Sequence, residues 1–200
     1  MIDTSSFTLF IVTSIAVIFM PGPAMLFVIS NGLTRGPKAS IAAAFGTTAG
    51  VSFHLLCAAF GLAVILKTSA IAFTVVKFAG AAYLIYLAVK TLLSKEQVIN
   101  GLDDSDKSGN SIVWQGIFIN ILNPKLSIFF LAFLPQFINP NLASATSQTL
   151  ILGAIFMAMT IVIFIGYGLF ASIKYGTTKS STSFFWMRTG LCTPLSSPIF

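Results

Sequence analysis

Residues 112–135 form an apolar run long enough to cross a bilayer, and Asn123, Pro124 and Lys125 stand in its middle. At roughly 1.5 Å per helical residue, Lys125 lies about 15 to 20 Å from either end of that run. A lysine at such depth costs roughly 2.5 to 3.5 kcal/mol on insertion scales, so it turns toward a cavity, a partner or a bundle interior. Pro124 lacks an N–H and clashes with the carbonyl four residues back, so a kink or break is expected beside the charge. The competing reading is a shorter span with Lys125 snorkelling from its end. A broken helix carrying a buried cation points first to a transporter.

Composition leaves little alternative to a membrane. The 200 residues are 56% hydrophobic and only 8% charged, with mean hydropathy +0.94; a soluble domain carries about a quarter charged residues. The chain is therefore expected to be an all-α, polytopic membrane helix bundle. Five apolar spans are marked at residues 7–30, 39–66, 70–89, 112–135 and 149–173. The first begins with Asp3, has no basic leader and runs too long for a signal peptide, so it reads as a retained span.

The net charge of +6 would suggest nucleic acid in a soluble protein, but here the cations stand singly at the ends of apolar runs. Arg35 and Lys38 fall in the first connection, Lys90, Lys95 and Lys107 in the third, and Lys174, Lys179 and Arg188 in the tail, against Lys67 alone on the opposite side. The positive-inside rule then puts the N-terminus in the periplasm and the odd connections in the cytoplasm. Residues 94–111 are the one hydrophilic stretch between spans, and they divide the chain. The expected organisation is a first repeat at 1–93 with three spans, a cytoplasmic linker at 94–111, and an incomplete second repeat at 112–173 with two spans. An atypical polar tail occupies 174–200.

The first span is interrupted as well, by Pro21, Gly22 and Pro23. Ile18, Phe19, Met20 and Pro21 resemble Ile121, Leu122, Asn123 and Pro124, and each set leads into a Phe-containing apolar run. Three spans in the first half would invert the second. Interrupted spans at matching places in inverted halves point to a transporter binding site, where free helix ends offer N–H and C=O groups. Alternatively, the first span ends early and residues 24–30 form a surface helix.

The motifs together resemble the lysine exporter and homoserine/threonine exporter (LysE/RhtB) family. They are Pro21-Gly22-Pro23, Gly32 and Gly36, Gly46 and Gly50, Gly61-Leu62, KFAGAAYL at 77–84, Asn120, Asn123-Pro124-Lys125, Phe129-Phe130 and Pro135-Gln136-Phe137. They keep the family's order over residues 7 to about 173. The resemblance implies a bacterial inner-membrane protein that exports amino acids or small derivatives by a secondary mechanism, nearer the threonine/homoserine type than the basic-amino-acid type. It also implies six spans in a three-plus-three inverted repeat. Residues 174–200 have no sixth apolar run, and the abrupt change of composition there reads as a frameshift or truncation.

Other residues carry weaker signals. Gly46, Gly50, His54, Ala58 and Gly61 share one face of the second span, which suits close helix packing. His54 is either a hydrogen-bonded packing residue or a group that couples transport to proton movement. Some family members have an acid beside the second glycine, where this chain has Val51. Lys77 either snorkels to the interface or faces the cavity as a second coupling candidate. All five acids, Asp3, Glu96, Asp103, Asp104 and Asp106, fall outside the spans, so no intramembrane carboxylate pair is available for enzyme chemistry. Cys57 and Cys192 form no evident metal or redox site, and no Gly-rich phosphate loop is present.

The expected function is secondary export of a small zwitterion, with no enzyme activity, cofactor or metal. Pro21, Gly22, Pro23, Asn120, Asn123, Pro124 and Lys125 are the substrate-binding candidates. The expected partners are an amino-acid substrate and the lipid bilayer, not nucleic acid, with a homo-oligomer open. The alternative is a truncated, non-transporting membrane remnant or assembly subunit.

Overall fold

Prolines punctuate the helices. The computed structural model describes residues 4–68, 74–75, 78–79, 81–83, 85–86, 89, 108–139 and 144–189. Helix α1 (Thr4–Phe19) stops short of Pro21, and α2 (Pro23–Arg35) restarts with Pro23 in its first turn, bent by 55° from α1. Gly36 joins α2 to α3 (Pro37–Thr68) at φ 85°, a backbone region that suits glycine, and its N–H donates to Gly32 O.

Helix α4 (Gly109–Ile121) breaks before Pro124, and α5 (Pro124–Ile128) follows at once. The chain then widens into a π turn (Phe129–Phe133) and tightens into a 3-10 turn (Leu134–Phe137) that contains Pro135. The segment beyond the break is bent by 51° from α4. Helix α6 (Ala145–Thr189) starts where the side-chain amide of Gln148 accepts from the N–H of Asn139 at Oε1 and donates to its C=O from Nε2.

The described residues form a helical membrane bundle. Two helices are long and apolar enough to cross a membrane, Pro37–Gly61 and Ala145–Ile173, and each bent pair taken as one span makes four. The expected span at 70–89 lies largely outside the described residues, as do Lys77 and residues 94–107. The composition change at Lys174 does not end α6, whose backbone remains helical to Thr189. Ser, Thr and Lys weaken a helix without breaking it, and the next proline is Pro194.

Glycine sets how closely the helices approach. A Cβ on Gly46 would meet the backbone of Val113, one on Gly50 the carbonyl of Ile117, and one on Gly116 the backbone N of Thr47. Helices α3 and α4 therefore touch backbone to backbone, which replaces the hydrophobic drive that lipid cannot supply. Among the described residues nothing lies within 4 Å of such a Cβ at Gly61. Phe156 of α6 stacks on Phe129 at 4.6 Å and meets Phe130 edge-on at 5.5 Å. These buried rings fix the π turn against α6 and hold the second break in the centre of the bundle.

Candidate functional site

Each proline break leaves backbone carbonyls without their usual helical donor. An α-helical C=O accepts from the N–H four residues later, so Pro21 deprives Val17 and Pro124 deprives Asn120. Pro21, Pro23 and Pro124 themselves are exposed, and they shape the site through the donors they lack.

Lys125 fills the first vacancy. Its Nζ donates to Val17 O at 3.2 Å and to Met20 O at 2.9 Å, joining the second break to the end of α1. The exposed carbonyls at a helix C-terminus carry partial negative charge, which favours an ammonium. Gly22 leaves the room: a Cβ there would stand 3.3 Å from Nζ. Among the described residues the ammonium is held by main-chain carbonyls and no carboxylate; the five acids lie outside those residues.

The second, Asn120 O, accepts from the Asn123 N–H at 3.0 Å, and it is bonded further by His54. Its Nε2 lies 2.9 Å from Asn120 O, and because a carbonyl can only accept, Nε2 carries the hydrogen. In the neutral ring Nδ1 then accepts from the Ser127 hydroxyl at 3.3 Å. Asn120 precedes the break and Ser127 follows it, so one imidazole braces both arms. Of the two sequence readings of His54, this geometry displays the hydrogen-bonded one. His54→Leu is expected to cost about 1 to 3 kcal/mol of stability, whereas His54→Gln, whose amide can replace the Nε2 donor, retains most of it. Equal melting midpoints for His54→Leu and wild type in detergent would remove the brace from the account.

The two asparagines connect these contacts. Asn120 Nδ2 donates to Thr47 O, Asn123 Nδ2 donates to Asn120 Oδ1 at 3.3 Å, and Asn123 Oδ1 accepts from the Lys125 N–H at 3.1 Å. That last bond caps α5 with a side chain, so its leading N–H is not free for a ligand as the sequence reading expected. Asn120, Asn123 and Lys125 line a cavity of about 20 Å³ together with Thr160 and apolar groups that include Val51, Phe156 and Phe164. That is room for about one water, not for an amino acid.

The structure thus brings Gly22, Asn120, Asn123, Lys125 and His54 into one connected network beside Pro21 and Pro124, while Lys77 is outside the described residues. Sequence reasoning missed the carbonyls of Val17, Met20 and Thr47 and the hydroxyls of Ser127 and Thr160. A usable signal existed for Val17: counting four residues back from each proline marks the carbonyls that need another donor.

The LysE-type translocator family model matches residues 15–192, running past the residue-173 limit of the motif resemblance. An uncharacterised membrane protein of Bacillus subtilis (strain 168), YrhP, is 35% identical over 159 residues, 74% of each chain. An uncharacterised membrane protein of Vibrio cholerae is 29% identical over 158 residues, 79% of this chain and 77% of its own. The homoserine/homoserine lactone efflux protein of Salmonella typhimurium is 28% identical over 162 residues, 81% of this chain and 78% of its own. No solved structure matches the chain. With the family match spanning both proline breaks and the lysine that joins the second to the first, this chain belongs to the LysE-type translocator family.

Proposed function

We propose that the chain is a secondary exporter of a small zwitterion, an amino acid or close derivative of the threonine/homoserine kind, across the bacterial inner membrane. The observation that carries this reading is the Lys125 ammonium, held on main-chain carbonyls at a broken helix beside a cavity. A substrate carboxylate offers Lys125 a charged partner, and Asn120 and Asn123 orient it. Pro21, Gly22, Pro23 and Pro124 serve by opening the helices and leaving room for the ammonium. Family membership and the efflux protein of Salmonella typhimurium support an export role.

In this reading residues 1–93 and 112–173 are inverted units that rock about the site, joined by a cytoplasmic linker at 94–111, with the N-terminus periplasmic. The short cavity is then one closed step of the cycle. His54 and Lys77 are the coupling candidates, and His54 already touches the arm that bears Lys125. Transport draws on ion or substrate gradients and requires no cofactor in the chain.

The test is growth of a homoserine-sensitive bacterial strain with and without the expressed chain. Resistance, accompanied by faster release of labelled homoserine or threonine, is the expected result. Unchanged sensitivity and unchanged release of both, with the protein present in the membrane, would favour a non-transporting remnant or assembly subunit.

A further inference from the structure

The cavity beside Lys125 is too small for an amino acid, yet one ammonium already sits against it: the lysine's own. Its position is defined by backbone. Val17 O has lost its helical donor to Pro21, Met20 O lies at the same helix end, and Gly22 keeps the space beside Nζ clear. Two main-chain carbonyls at a negative helix end recognise any primary ammonium, not lysine in particular.

We propose that the carbonyls of Val17 and Met20 are the ammonium subsite for the substrate, and that Lys125 occupies it as an internal ligand while the site is empty. This rests on the reading of Lys125 as the carboxylate partner. A zwitterion enters by exchanging partners: its carboxylate takes the Lys125 ammonium, and its own ammonium takes the two carbonyls that Lys125 releases. No bond is left unmade by the exchange. A primary amine without a carboxylate gives Lys125 nothing in return for displacing it, and an acid without an amine leaves the carbonyls unpartnered. The site therefore selects zwitterions with no acidic side chain, in agreement with a sequence whose acids all lie at position 3 or between 96 and 106.

The experiment measures binding, independently of transport, by calorimetry on the full chain in lipid nanodiscs. Three probes are used: homoserine, 3-aminopropanol, which lacks its carboxylate, and 2,4-dihydroxybutyrate, which lacks its amine. For wild type, homoserine is expected to bind at least about 30-fold more tightly than either fragment. For Lys125→Met, the internal competitor is gone: homoserine binding falls at least about 30-fold, while 3-aminopropanol binds about 10-fold more tightly than to wild type. If Lys125→Met binds 3-aminopropanol no better than wild type does, the carbonyl subsite is overturned. If wild type binds 3-aminopropanol as well as homoserine, partner exchange is overturned.

A second variant stands apart from the lysine. Pro21→Ala gives Val17 O an N–H of its own, so homoserine is expected to weaken about 10-fold with 2,4-dihydroxybutyrate unchanged; undiminished homoserine binding overturns the subsite. Should wild type ignore homoserine while Lys125→Met gains 3-aminopropanol, the subsite stands and the homoserine export reading falls.

Discussion

Lys125→Met is expected to abolish export while the variant inserts and accumulates like wild type. Methionine keeps an unbranched side chain of similar length and removes only the charge and its three donors. Losing one partner of a buried, hydrogen-bonded charge pair costs about 2 to 5 kcal/mol of binding, a fall in kcat/KM of roughly 30- to 5000-fold. Insertion should change far less. The variant leaves Val17 O and Met20 O without the lysine, at about 1 to 3 kcal/mol for each orphaned group, but it no longer buries an ammonium that costs roughly 2.5 to 3.5 kcal/mol at mid-membrane depth. These terms oppose each other, so the folded amount should stay close to wild type. Initial export rates from inside-out vesicles, normalised to membrane abundance, decide it; export at the wild-type rate sinks the assignment of Lys125.

Gly46→Leu should act on the fold itself. A Cβ at Gly46 already meets the Cα and carbonyl of Val113, and Gly116 presses back against Thr47. Backbone cannot rotate away as a side chain can, so α3 and α4 must separate. The bonds from Asn120 to Thr47 and from His54 to Asn120 cross the same interface and are lost with it. Overpacking plus these bonds sets an expected cost of about 3 kcal/mol or more. Gly61→Leu is the control, because none of the described residues lies within 4 Å of a Cβ there. The thermal midpoint in detergent reads both. Gly46→Leu melting with wild type, or Gly61→Leu falling as far, would contradict the packing account.

The breaks were legible because proline acts locally. Whatever surrounds them, Pro21 and Pro124 remove an N–H, and the structure bends by 55° and 51° at those places. The apolar runs were legible for a similar reason, since backbone groups in lipid must bond within their own helix. Helix ends were less so: α6 runs on to Thr189 because composition changes there without a residue that stops a helix. The small-residue face was legible as a face, but not which part of it would be used: among the described residues Gly46 and Gly50 meet α4 and Gly61 meets nothing.

Sequence alone therefore determined that this is a membrane bundle of helices, where two of them break, and that a cation lies beside one break. Each of these follows from short-range rules: hydropathy, the missing proline N–H, and the cost of a charge in hydrocarbon. Only the tertiary structure decided what the cation touches. Val17, Met20, Thr47 and Asn120 contribute main-chain carbonyls, which every residue possesses, so no residue type marks them in the sequence. Lys125 reaches α1 across 105 and 108 positions, and His54 reaches Asn120 across 66. Such pairings are set by how closely the glycine faces let the helices approach, and they exist only once the bundle has closed.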